Sequence, residues 1–405
     1  MKKSTLDYKN LPIWTQSLIL MLLFSSIFEL TNSTLNSFGN KAIQISLILS
    51  LFIFIFNYLE HDFFNYYIKN LYIIVILYLF SIVISMILNK DYNIQLLLQI
   101  TSVFSFIILS IQTKWNKISL IILSSVIGVS TLLLFSDFRF SDFDYNGTVA
   151  FKSIFNNPNG LAIILFCSTY FILLTLYYLK NKFYRTFMLV ILILTIYLVF
   201  QTHARSVYVS FFIVILMLLI NYIKPKWVYY SFFLSLGGGL LFLLLYIILP
   251  GSELGNLFNT LSLKLFRKSF FSGREGIWNE LWTHIAEAPI LGHGISTDPN
   301  YIESIGTSAH NQYLQIILES GFLGISLFII FLYQLWLLLR KNQNHFTGML
   351  SSAYLIAFIF YETFEVTLFQ NNFNIGLIQW LIITMGVKII DPKKDGDCTK
   401  RTSIK

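Results

Sequence analysis

The sequence predicts an all-α polytopic membrane protein, and three observations predict it. The chain of 405 residues is 56% hydrophobic and only 12% charged, with a mean hydropathy of +0.69. Apolar runs of ~18–22 residues recur along it, each long enough to cross ~30 Å of hydrocarbon as a helix. Lysine and arginine are distributed unevenly between alternate loops. No alternating barrel pattern is present, and only helices and closed barrels span lipid.

The elements follow in order, about twelve spans in all. The first, 13–30, comes after "MKKSTLDYKNLP" with no small-residue cleavage site, so it reads as a retained span and not a signal peptide. Spans at 42–59, 68–88, 94–111 and 118–136 precede a longer connection, 137–158. "NPNGLA" then turns into span 159–179, and asparagine–proline–glycine chemistry accounts for that turn. Spans 186–202, 207–223 and 228–249 lead into the largest connection, 250–320, between spans nine and ten. The last spans are 321–339, 347–369 and 375–390, and 391–405 reads as a solvated cytoplasmic tail. The whole chain, 1–405, is expected to be one integral membrane domain.

With the N-terminus in the cytoplasm, most of the 28 basic residues fall in cytoplasmic loops and tails, among them Lys117, Lys182, Arg185, Lys224, Arg340, Lys341 and Lys388. That is the positive-inside bias, and it puts both termini in the cytoplasm. The net charge of +8 is therefore an orientation device, and a nucleic-acid partner has no support. The two cysteines, Cys167 and Cys398, are too few and too far apart in topology for a disulfide or metal framework. The histidines lack metal-ligand spacing, so no metal site is expected. No nucleotide-cradling loop is present either.

Connections longer than ~15 residues are usually functional or disordered. The one at 250–320 contains "SGREGIWNELWTHIAEAPILGHGI" (272–295). Ile277, Leu281, His284 and Ile285 have helical spacing, and Trp278 and Trp282 suit the headgroup level. Pro289, Gly292 and Gly294 then break the helix. This connection is expected to be a folded, surface-lying element on the external side.

Three external clusters carry candidate chemistry. In "THARSVYVSF" (202–211), Arg205 sits at a tight turn with His203 beside it. It reads either as a snorkelling arginine or as a phosphate-binding fork. Arg274 and Glu275 stand at the start of the loop helix, as an exposed ion pair or as an anion site at a helix N-terminus. "SAHNQYLQIILESGFLG" (308–324) joins a polar start to an apolar run. Gly321 is expected to break it, leaving 309–319 as a short interfacial or re-entrant helix headed by His310. His310 reads as a polar helix start or as a general base, and Glu319 as a packing partner or as the group that orients it. Glu362 and Glu365 fall inside the span at 347–369, where carboxylates need partners, with Arg205 or Arg274 the available ones.

Together these pieces resemble the O-antigen ligase and polymerase superfamily, the Wzy-type polysaccharide polymerases and their ligase relatives. "NPNGLA", "THARSVYVSF", "SGREGIWNELWTHIAEAPILGHGI" and "SAHNQYLQIILESGFLGISLF" carry the likeness, over about residues 150–340. The resemblance implies a GT-C-like membrane fold and glycosyl transfer at the outer face of a bacterial cytoplasmic membrane, from a polyprenyl-pyrophosphate-linked glycan to a second one. By motif position it assigns Arg205 and Arg274 to pyrophosphate stabilisation and His310 to the general base. Asn311, Tyr313, Glu319 and His203 are the expected substrate-binding side chains. The His203 ring stands where relatives often have a small residue. No cofactor is implied, because the pyrophosphate already leaves well and two arginines neutralise it. A flippase and a chain-length regulator of the same pathway are the implied partners. The leading expectation is a polymerase of capsular, exopolysaccharide or O-antigen repeat units, and the runner-up a ligase moving a finished glycan to another acceptor. A flippase-type transporter is disfavoured, since no repeated halves appear and the polar residues crowd the outer ends.

Overall fold

The computed structural model describes residues 13–31, 34–60, 68–113, 115–140, 150–266, 269–302, 305–369 and 373–388. Residues 1–12, the expected cytoplasmic tail 391–405 and part of the 137–158 connection, 141–149, lie outside these residues. Lipid offers no partner to a backbone N–H or C=O, so each apolar run closes its own hydrogen bonds as a helix. Fourteen α-helices result among the described residues. They are α1 (Ile13–Ser25), α2 (Leu35–Glu60), α3 (Lys69–Leu88), α4 (Ile94–Gln112), α5 (Lys117–Phe140), α6 (Pro158–Tyr178) and α7 (Lys182–Gln201). Then come α8 (Arg205–Ile223), α9 (Val228–Ile248), α10 (Glu253–Phe266), α11 (Arg274–Glu287), α12 (Gln312–Lys341), α13 (Phe346–Tyr361) and α14 (Phe373–Met385). The only strand pairing described is an isolated bridge between Thr31 and Phe155.

Among the described residues nine helices are long and apolar enough to cross a membrane, and three shorter apolar ones, Thr15–Leu30, Phe346–Tyr361 and Phe373–Met385, stand at the remaining places of the twelve expected spans. Asparagines start several of them. Asn93 accepts from Leu96 N at 3.0 Å, Asn181 from Tyr184 N at 3.2 Å, and Asn157 from Asn159 N at 2.8 Å with Pro158 next in line.

The bundle has a centre and a periphery. The apolar window of α6 is 78% buried and that of α8 only 22%, so α6 lies inside and α8 presents one side to lipid. Polar side chains staple α6 to α13. Thr169 meets the Tyr354 hydroxyl at 2.6 Å, Tyr170 meets Ser351 at 2.7 Å, and Tyr178 meets Thr347 at 2.7 Å. In an apolar surround such pairs fix which faces meet.

The segments assigned to the two sides by charge also separate in space. Arg205, Arg274 and His310 gather at one end. At the other, Lys117 lies over the Tyr178 ring at 5.6 Å, Arg340 over Tyr229 at 4.6 Å, and Lys388 donates to the Gln112 carbonyl.

The 250–320 connection departs from the expected surface-lying element in two ways. It contains a second helix, α10, which the spacing did not reveal. It also packs inward: Trp278 is fully buried, its Nε1 donates to the Ala309 carbonyl at 3.0 Å, and its ring centroid lies 4.8 Å from that of Tyr246. The headgroup role expected of Trp278 is thus replaced by a core role, because α11 folds back onto α9.

Gly321 breaks α12 as expected, with φ 66° and ψ −169°. The break has a defined cause. A Cβ there would lie 2.2 Å from both the carbonyl carbon and oxygen of Ile290. The strand of chain at 289–294 instead supplies the missing hydrogen bonds. Phe322 N and Leu323 N donate to the carbonyls of Pro289 (2.8 Å) and Ile290 (3.2 Å), while His293 N and Gly294 N donate to those of Leu318 (2.8 Å) and Glu319 (3.0 Å). Irregular backbone at this depth is tolerated because protein, not lipid, surrounds it. The 312–320 arm is correspondingly enclosed, with Leu314 to Ser320 all buried, rather than interfacial. It begins three residues later than the expected 309: Asn311 is its cap, and His310 precedes it with φ 47°.

The expected span 347–369 is also shorter. Helix α13 stops at Tyr361, and 362–369 continues as buried irregular chain. Glu362 and Glu365 therefore lie beyond the helix, not within it.

Candidate functional site

A cavity of about 710 Å³ opens at the end of the bundle where α8, α9, α10, α11 and the starts of α6 and α12 meet. Its polar lining comprises Asn159, His203, Arg205, Ser262, Ser272, Arg274, Thr307 and His310. Val209, Phe242, Tyr246, Phe258, Leu261 and Phe364 supply an apolar wall. The three residues expected to be catalytic thus come together although up to 105 positions separate them (310 − 205 = 105).

Arg205 is the first residue of α8, after Ala204, which provides no side-chain cap. Its Nη1 donates to Ser262 Oγ at 2.7 Å and to the Ser269 carbonyl at 2.9 Å, and its Nη2 to Ser272 Oγ at 2.7 Å. All three acceptors are neutral. The guanidinium is therefore held in place without having its charge compensated by an anion among the described residues, and it is not a freely snorkelling side chain.

Arg274 follows Gly273, whose φ of 80° sets the sharp start of α11. The expected Arg274–Glu275 surface pair does not form. Arg274 Nη2 instead meets Glu365 Oε1 at 3.2 Å, and both side chains are largely buried, at 16% and 15% exposure. His310 Nδ1 lies 3.5 Å from Glu365 Oε2, an ion-pair contact when the ring is protonated and not a formed hydrogen bond. Asn159 Nδ2 donates to Glu365 Oε1 at 3.2 Å. One carboxylate thus joins three elements of the cavity. Burial pushes the Glu365 pKa up, but the neighbouring His310 and Arg274 more than offset this and leave it below the usual carboxylate range.

Glu319 does not fill the orienting role considered for it. It lies at the far end of the 312–320 arm, buried, accepting from Gln315 Nε2 at 2.5 Å, and it does not line the cavity. Asn311 is fully buried; its side-chain oxygen accepts from Tyr313 N and Leu314 N at 3.0 Å, and its amide donates to the Thr363 carbonyl at 3.2 Å. The Tyr313 hydroxyl donates to the Ile359 carbonyl at 2.6 Å. These residues secure the arm behind His310, and of the four side chains expected to bind substrate only His203 lines the cavity.

Glu365 and Asn159 are the members that sequence reasoning left without a role. The signal for Glu365 was present, as a carboxylate in an apolar run that required a cation. Asn159 was hidden because turn chemistry explained it fully. Backbone strain marks the same place. Among the described residues, Lys90, Ser153, His203, Ser272 and His310 are the non-glycine residues with left-handed φ, and the last three line the cavity. No group of three or more His, Cys, Asp and Glu side chains suited to a metal ion occurs among the described residues.

Residues 189–329 match the family model described as O-antigen ligase. No curated protein matches the chain. The matched region contains Arg205, Arg274 and His310, while Glu365 and Asn159 reach the cavity from outside it. The chain is thus a multi-pass membrane protein of which residues 189–329, about a third of its length, are similar to the O-antigen ligase family.

Proposed function

We propose that the protein joins polyprenyl-pyrophosphate-linked oligosaccharide repeat units by inverting glycosyl transfer at the outer face of the cytoplasmic membrane. The observation that supports this most is the convergence of two arginines, one of them without an anionic partner among the described residues, and one histidine backed by a carboxylate on a single half-apolar cavity. The apolar wall suits the first isoprene units of a lipid carrier, and the arginines suit its pyrophosphate.

In this reading a hydroxyl oxygen of the acceptor glycan attacks the anomeric carbon of the donor. The bond from that carbon to the pyrophosphate oxygen breaks on the opposite face, which inverts the centre. Arg205 and Arg274 neutralise the departing lipid pyrophosphate. The hydroxyl proton passes to His310. Because Nδ1 faces Glu365, Nε2 is the nitrogen left for the acceptor, and the carboxylate steadies the imidazolium that forms.

Purified protein given lipid-linked repeat units should lengthen them. His310→Ala should lower the rate by ~10²–10⁴-fold, the usual contribution of a general base. Normal chain growth in that variant would sink the base assignment. In a deletion strain, single lipid-linked repeats should accumulate; accumulation of full-length lipid-linked chains would instead identify transfer of a finished glycan to another acceptor.

A further inference from the structure

Glu362 is a fully buried glutamate that the proposed mechanism does not use. Its Oε2 accepts from Thr367 N at 3.2 Å. Its Oε1 lies 2.5 Å from Thr367 Oγ1 and 3.1 Å from Gln379 Nε2, and Thr367 Oγ1 lies 2.9 Å from Gln379 Oε1. These three side chains close a ring, and the protons in it can be counted. A threonine hydroxyl carries one hydrogen. If Glu362 were ionised, that hydrogen would go either to the carboxylate or to the glutamine carbonyl, and the other contact would be two acceptors facing each other. Turning the Gln379 amide does not help, because its oxygen would then face an ionised Glu362 oxygen at 3.1 Å. One added proton resolves both cases. With the amide as placed, Glu362 donates to Thr367, Thr367 donates to Gln379, and Gln379 donates back to Glu362.

We propose that Glu362 is held as a neutral carboxylic acid that braces the segment presenting Glu365 to His310 and Arg274. The surroundings agree. Among the described residues no cation forms an ion pair with it. The titratable groups close enough to interact with it, Glu365, Tyr313, Tyr361 and Cys167, are all acids, so none would stabilise a carboxylate.

The brace reaches both sides of the site. The ring fastens 362–367 to α14 through Gln379. The Glu362 carbonyl accepts from Gln312 N at 2.9 Å, the Thr363 carbonyl accepts from Asn311 at 3.2 Å, and Gln312 Oε1 accepts from Leu368 N at 3.0 Å. Glu365 thus sits in the middle of a closed loop sewn to the two residues that follow His310. Of two glutamates three positions apart, one carries the charge and the other carries a proton. Glu362 is a positioning residue, and that part of the inference rests on the reaction proposed above.

The neutral state and the bracing are read without substrate, on the full chain in nanodiscs. The infrared difference between wild type and Glu362→Gln at neutral pH should show a carboxylic-acid C=O band that shifts in D2O. Ionised-carboxylate bands in its place would overturn the proposal. Hydrogen exchange at 310–314 and 362–368 should be unchanged in Glu362→Gln, whose amide still donates into the ring, and faster in Glu362→Ala and Thr367→Val. Loss of protection in the Gln variant equal to that in the Ala variant would also overturn it. With lipid-linked repeats, Glu362→Gln should stay within about threefold of wild type and the other two should fall ~tenfold or more. If both spectroscopic results hold while wild type transfers no glycan, the proposed reaction fails and the protonated brace stands.

Discussion

Replacing Glu365 by glutamine keeps the shape of the side chain and removes its charge. The structure sets the size of the effect. Glu365 makes two contacts that depend on that charge, 3.2 Å to Arg274 and 3.5 Å to His310. Hydrogen bonds to charged groups contribute ~1.5–3 kcal/mol each. Both distances exceed the ~2.7–2.9 Å of a tight charge-assisted bond, so the low end applies and the pair together is worth ~2–3 kcal/mol. At ~1.4 kcal/mol per tenfold, kcat/KM should fall ~30- to 150-fold. The loss should appear mainly in kcat, because Arg205 remains to bind the pyrophosphate.

The assay is elongation of a lipid-linked repeat by purified protein, followed by mass analysis across substrate concentration and pH. The folded-state pKa of Glu365 is depressed. Its contribution is therefore fully present above the ordinary carboxylate range and is lost as pH falls through the depressed value. Wild type should lose stability on that acid side by this route, read as Tm against pH, and the glutamine variant should lack that dependence. Wild-type kcat/KM in the variant, or an unchanged acid dependence of Tm, would refute the role given to Glu365.

Three further outcomes follow from the same geometry. Arg205→Lys should bind donor more weakly, with a raised KM, because an ammonium cannot reach Ser262, Ser269 and Ser272 in the fork that now fixes the guanidinium; equilibrium binding of a lipid pyrophosphate measures this. Gly321→Ala should destabilise the protein by ~3 kcal/mol or more, from strained dihedrals and a clash with backbone that has no room to yield, and a lower Tm in detergent reports it. Trp278→Phe should cost ~1–3 kcal/mol by leaving the buried Ala309 carbonyl without its donor, again read as Tm.

Much of this molecule is legible in the sequence because the bilayer restricts the options. Length and hydropathy name the spans, and the only serious misplacement is the outer end of 347–369. The composition there is apolar enough to continue a helix. What ends it is tertiary: Gln312, Glu362 and Trp380 offer the 362–368 backbone other partners. The same applies to the site. Arg205, Arg274 and His310 stand out as polar residues at apolar boundaries. Which carboxylate answers them does not, since Glu319, Glu362 and Glu365 are alike as letters and differ in what surrounds them. Trp278 reads as a headgroup anchor from spacing alone, and only the inward fold of α11 shows otherwise.

The break at Gly321 also dictates an order of events during biogenesis. The two arms of α12 are completed by hydrogen bonds from 289–294, a stretch made earlier on the ribosome. Until it arrives, Phe322 and Leu323 would offer bare amides to hydrocarbon. The second arm therefore settles only when that segment is already waiting beside it. A chimera that exchanged 250–320 for a relative's loop would have to carry matching carbonyls at 289 and 290, whatever sugar it was meant to recognise.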